Sequence, residues 1–102
     1  MTLEWRGQAL VITWLPVEAM GRLAACAPAT PAEAEVLAAL LAGARVCLDR
    51  EALAYRRYRK TAPPGVYRAC VALERRLREM GIGRAPPRPG RGDQYAAGTG
   101  DR

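Results

Sequence analysis

Arg56, Arg57, Arg59 and Lys60 stand within five positions of one another, with Tyr55 and Tyr58 interleaved. Four neighbouring cations repel one another, so the cluster calls for an external counter-charge, and the phosphates of a nucleic acid supply one. Two further sets follow along the chain: Arg68 and Arg75 with Tyr67 and Arg78, then Arg84, Arg88 and Arg91 spaced by prolines and glycines. Arginine's planar fork grips a phosphate or a guanine edge through two parallel bonds. The 102 residues carry 16 Lys+Arg against 10 Asp+Glu and no histidine, a formal charge of +6. Lys60 is the only lysine, and Phe, Ser and Asn are absent, as expected of codon bias in a GC-rich bacterial or phage genome. Bias alone would scatter arginine evenly. Instead the first 44 residues hold two basic and four acidic side chains, and the remainder hold fourteen and six. A clustered surplus predicts a positive face turned toward polyanions.

Other chemistries are excluded. Without histidine there is no Ser–His–Asp triad, no Cys–His pair and no histidine-ligated metal. Cys26, Cys47 and Cys70 are too far apart for a Cys-x-x-Cys site, and each sits in an apolar run, so all three are expected to pack as small hydrophobes. No paired carboxylates stand out on one face. The chain is therefore not expected to be an enzyme or to hold a cofactor or metal. The longest uncharged stretch, Gly7 to Val17, is broken by Pro16 and falls short of the ~20 residues of a membrane span. Glu4 precedes the apolar N-terminal run where a secretory signal would carry basic residues. A soluble, cytoplasmic, nucleoid-associated protein of one domain is expected.

These residues need elements to hold them. Leu3-Glu4-Trp5 and Ala9 to Trp14, with Arg6-Gly7-Gln8 between, predict a β-hairpin. Residues 15–29 fit either a helix or a further strand pair. Thr30-Pro31-Ala32-Glu33 is a capping box, and Val36, Leu37, Leu40 and Leu41 form a stripe expected to be buried before Gly43 ends the helix. Asp49 is expected to cap a second helix from Arg50 to about Tyr58. Beyond Pro63-Pro64-Gly65, a third helix over 66–80 is expected to bury Val66, Cys70, Leu73 and Leu77 and to end at Gly81.

Hairpin, helix, short strand, two helices and a basic Gly-rich segment give the layout of an α+β winged helix-turn-helix: a three-helix core, an N-terminal β-hairpin and a C-terminal β wing. From Thr30 to about Tyr95 the chain resembles the OmpR/PhoB-type DNA-binding domain, the output module of bacterial response regulators. The resemblance rests on Thr30-Pro31-Ala32-Glu33, the paired apolar residues Val36-Leu37 and Leu40-Leu41, the strand Val46-Cys47-Leu48 and Asp49-Arg50-Glu51-Ala52-Leu53. Leu73 and Leu77 with Arg75 and Arg76 match its third helix, and Gly90-Arg91-Gly92 before Tyr95 matches its wing tip. The chain departs from it in showing one hairpin before Thr30 and no receiver domain, and in placing Arg68 where the family has an apolar residue. Three segments are expected: 1–29, hairpin and connector; 30–95, winged helix-turn-helix domain; 96–102, disordered tail.

A helix-turn-helix turns the exposed side of its third helix into the major groove. With the core face as above, Arg68, Val71, Ala72 and Arg75 point outward and are expected to read bases, the arginines on guanine and the apolar pair on thymine methyls. Arg56, Arg57, Arg59, Lys60, Tyr67 and Arg78 are expected on phosphates, and Arg84, Arg88 and Arg91 in the wing. The function expected is a small transcriptional regulator of double-stranded DNA. A homodimer through the hairpin, with Trp5 and Trp14, would extend its few base contacts. The alternative is a winged-helix module that docks on RNA polymerase or another regulator, with Val71 and Ala72 as an apolar contact.

Overall fold

The computed structural model describes residues 1–86. Strands β1 (Thr2–Arg6) and β2 (Ala9–Trp14) form the expected antiparallel hairpin, with Arg6 facing Ala9 and Trp5 facing Leu10. Its two-residue turn places Gly7 at φ 63°, the left-handed conformation that a turn with glycine at its first central position requires. Residues 15–29 resolve as a helix, α1 (Val17–Ala24), which buries Ala19, Met20 and Leu23.

The N-cap half of the expected capping box forms at α2 (Pro31–Leu41): Thr30 Oγ accepts the Glu33 N–H at 3.2 Å, while the Glu33 carboxylate takes the Ala29 N–H at 2.9 Å. β3 (Arg45–Leu48) follows, then α3 (Pro64–Glu79) and the short β4 (Gly83–Arg84). All three helices end in the same paired arrangement of backbone bonds. In α2, Gly43 donates to Leu40 O at 3.0 Å and Ala44 to Ala39 O at 2.9 Å; in α3, Gly81 donates to Arg78 O at 3.0 Å and Ile82 to Leu77 O at 3.1 Å. In α1, Cys26 takes the glycine's place at φ 55° and donates to Leu23 O at 3.0 Å, while Ala27 donates to Arg22 O at 2.8 Å.

The four strands make one sheet in the order β1-β2-β3-β4, and both β2–β3 and β3–β4 are parallel. Parallel neighbours need crossover connections. α1 and α2 form the first crossover, and residues 49–82, with α3, form the second. Leu10 and Ile12 of β2 and Val46 and Leu48 of β3 meet Met20, Leu23, Val36 and Leu77 in one core. The described residues form an α+β domain of three α-helices and a four-stranded sheet. β2 pairs with β3 and α1 packs against α3, so the hairpin segment 1–29 shares one sheet and one core with the rest.

Several expectations are corrected. No helix runs from Arg50 to Tyr58; a 3-10 helix occupies Ala54–Tyr58 instead. The cause is a tertiary contact: Leu15 N–H donates to Ala52 O at 2.7 Å and Ala54 N–H to Leu15 O at 3.1 Å, which holds Leu53 extended beside Leu15. Ala52, Leu53, Ala54 and Tyr55 are all buried, whereas a surface helix buries only one side. Asp49 does not cap a helix, because its carboxylate takes Arg6 Nη2 at 3.1 Å. In α2 only Val36 of the expected stripe is fully buried, and Leu41 is 80% exposed. Cys47 and Cys70 are buried as expected, but Cys26 is exposed. Arg84 of the expected wing, with Gly83, joins the sheet parallel to β3. Arg88, Arg91, Tyr95 and the tail from 96 lie outside the described residues. No helix among the described residues is long and apolar enough to cross a membrane.

Candidate nucleic-acid interface

The basic residues of the second crossover fall into two groups, one held by the fold and one open to solvent. Glu74, on α3, organises the first. Its Oε1 accepts the Tyr55 hydroxyl at 2.5 Å, and its Oε2 accepts Arg56 Nη2 at 3.1 Å and Arg78 Nη2 at 3.2 Å. Burial alone would raise the Glu74 carboxyl, but the Tyr55 hydroxyl and the two guanidinium groups outweigh it and hold its pKa below the ordinary value. Burial, together with the hydrogen bond to Glu74, pushes the Tyr55 phenol up to about 12. Tyr67 packs beside it, with ring centroids 5.2 Å apart.

Three of the expected phosphate contacts meet in this cluster: Arg56 and Arg78 pair with Glu74, and Tyr67 packs on Tyr55. Of the cations at 56–60, Arg56 therefore has an acid neighbour, supplied by an element distant in sequence. The buried side of α3 is also rotated by about 50° from its expected position, half of one residue's step. Cys70 and Leu77 are buried, as the periodicity predicts, but Tyr67, Glu74 and Arg78 turn inward with them. Val66, in the first turn, is 55% exposed, and Val71 is half-buried against the core and so leaves the outward face.

Arg57, the next cation, lies over the Trp14 ring, 4.6 Å from its centroid. A guanidinium in that position is attracted by the ring's negative face. Trp14, expected in a dimer interface, is thus engaged from within.

Arg59, Lys60, Arg68, Ala72, Arg75 and Arg84 remain exposed, and none of the cations among them has an ion-pair partner among the described residues. Around α3, at about 100° per residue, Arg75 and Arg68 follow directly outward from Arg78 on the side where Arg56 docks. Arg56, Arg78, Arg75 and Arg68 therefore share one flank of the helix. Arg68 and Arg75 are seven residues apart, about 10 Å along the axis. Arg76 and Glu79, 4.0 Å apart, mark the flank's far border with an exposed pair. Among the described residues no group of acidic or cysteine side chains could hold a metal ion.

Sequence reasoning missed Glu74 as the centre of the site. Only its spacing of four from Arg78 was visible, whereas its bonds to Tyr55 and Arg56 depend on how the crossover folds back on α3. No protein-family model matches the chain, and comparison with curated proteins and with solved structures finds no similar one.

Proposed function

We propose that the chain binds double-stranded DNA through the flank of α3 and the cationic segment before it, and that it acts as a small nucleoid-associated transcriptional regulator. One observation carries this reading: Arg59, Lys60, Arg68 and Arg75 belong to the same crossover and are exposed, with no acid partner among the described residues. Phosphates neutralise such a set and release counterions as they do so. Arg68 and Arg75, with Ala72 between them, are the side chains available to base edges, and Arg57, Arg59 and Lys60 flank them for the backbone.

The winged helix-turn-helix expectation enters here as a docking mode, α3 lying in the major groove with the segment after Gly83 beside it. A 3-10 turn precedes α3, and β4 pairs parallel to β3, so recognition in this mode falls on α3 itself.

The second reading is a protein-docking surface for RNA polymerase or another regulator. Tyr58, 51% exposed, and Val66, 55% exposed, favour it, since they place apolar area beside the cations.

Duplex binding measured across a salt series separates the two. DNA as partner gives an affinity that falls steeply with salt, and selection from a random duplex pool then returns a motif. Failure to bind duplex at low salt removes the DNA reading and leaves the protein-docking one.

A further inference from the structure

β1 is the edge strand of the sheet, and its outer side is unpaired among the described residues. The hairpin dictates which backbone groups that side presents. Arg6 and Ala9 flank the two-residue turn and form its hydrogen-bonded closing pair. Trp5 and Leu10 are then a non-hydrogen-bonded pair, so the N–H and C=O of Trp5 point away from β2. Leu3, opposite Ile12, is oriented the same way. Trp5 itself is 51% exposed, and its indole Nε1 donates to Glu35 Oε2 at 3.1 Å. That bond joins the edge to the exposed side of α2, where Ala34, Ala38 and Leu41 follow at helical spacing.

We infer that this edge docks a second copy of the chain, β1 pairing antiparallel with the other β1 about a two-fold axis at Trp5. Charge selects this register. With the axis at Trp5, the two Trp5 residues exchange both backbone bonds, and Glu4 of each chain faces the other's Arg6, which its own Glu4 and Asp49 already engage. An axis at Glu4 would also engage the outward groups of Leu3 and Trp5, but it sets two carboxylates directly opposite each other. A symmetric contact of this kind closes on itself and removes an exposed edge. It also brings together the half of the chain with an acidic balance and leaves the basic flank of α3 outside, so like charges are not forced into contact. The inference is independent of what the basic flank binds.

Sedimentation velocity of the full chain over a wide concentration range tests it. The wild type is expected to pass from monomer to dimer, and Glu4→Arg, which sets arginine against arginine, to weaken the dimer by roughly tenfold or more. In a Cys26→Ala background, Trp5→Cys is expected to form an interchain disulfide under mild oxidation, because paired Cα atoms at the axis lie about 5.5 Å apart. Thr2→Cys is expected not to, since its two copies lie about 20 Å apart in this register. Far-UV circular dichroism and thermal melting verify that each variant folds. A monomer at every concentration, a dimer indifferent to Glu4→Arg, or cross-linking through Thr2→Cys instead of Trp5→Cys overturns the inference.

Discussion

Arg22 holds Glu33 with two parallel hydrogen bonds, Nε to Oε1 at 2.7 Å and Nη2 to Oε2 at 2.6 Å, and so joins α1 to α2. Glu33 is only 1% exposed. Burial of a carboxylate costs stability unless its oxygens are satisfied. Here the Arg22 bonds, joined by the Ala29 N–H on Oε1 at 2.9 Å, overcome the burial and lower the Glu33 pKa to about 2. In a standard capping box the glutamate returns to the cap residue's own N–H. Glu33 instead reaches one residue further back and fastens the loop between the helices.

Replacing Glu33 by Gln is expected to cost about 2–3 kcal/mol, the order of the lost charge-assisted bonds. Acid titration gives the second signature. An unfolded glutamate titrates near 4.5 and this one at about 2, so the folded state favours the charged form. Its stabilisation is complete above about pH 4.5 and is lost as the pH falls toward about 2. Unfolding free energy from denaturant melts is expected to fall more steeply with decreasing pH across that window in the wild type than in Glu33→Gln.

Cys26 sits where the other two helices carry glycine, at φ 55°. A side chain in the left-handed region costs about 1–2 kcal/mol, partly offset in a glycine variant by the greater freedom of its unfolded chain. Cys26→Gly is therefore expected to raise the melting temperature by a few degrees, and β-branched Cys26→Val to lower it. Equal melting of all three proteins would show that the turn relaxes around its occupant.

The same position shows what the sequence could and could not disclose. Gly43 and Gly81 mark the ends of α2 and α3 because glycine signals the left-handed turn, whereas cysteine at 26 sends no such signal and residues 15–29 stay ambiguous. Thr30 and Glu33 act within four residues of chain, so the cap was legible. The apolar side of α2 was not, since Ala, Val and Leu surround almost the whole helix and periodicity has no polar side to set its phase. Leu41 consequently reads as core and is exposed. The parallel pairing of β2 with β3 and of β3 with β4 depends on two crossovers, and nothing in Val46-Cys47-Leu48 records its direction. At the site, exposure of Arg68 and Arg75 followed from spacing, while the partners of Arg56 and Arg78 required knowing where Glu74 lies.

Tyr55 gives a prediction at the alkaline end. Its phenol is neutral in the folded state up to about 12, against an ordinary value of 10.0. Stabilisation from this group is present below pH 10 and is lost as the pH rises through about 12. Absorbance titration at the tyrosinate band is expected to show one late-titrating tyrosine in the wild type. Glu74→Ala removes the acceptor of its proton and is expected to bring that titration down toward the ordinary range.

Arg59 and Arg78 belong to the same stretch of positive sequence but to different physical groups, and that separates binding from stability. Arg59 is exposed without an ion-pair partner among the described residues, so Arg59→Ala is expected to leave the melting temperature almost unchanged. If it contacts one phosphate, the slope of log affinity against log salt becomes shallower by about 1. Arg78 is half-buried and bonds Glu74, which Tyr55 and Arg56 also use. Arg78→Ala is expected to lower stability by about 1–3 kcal/mol, because it removes a charge-assisted bond from a partly buried carboxylate. Arg68→Ala and Arg75→Ala test the third class: loss of a base contact costs about 1–3 kcal/mol on the selected sequence and less on random duplex. A uniform loss on every sequence would reassign both residues to the backbone. The three signatures are distinct, so one set of melts and salt titrations tells a structural arginine from a phosphate contact and from a base reader.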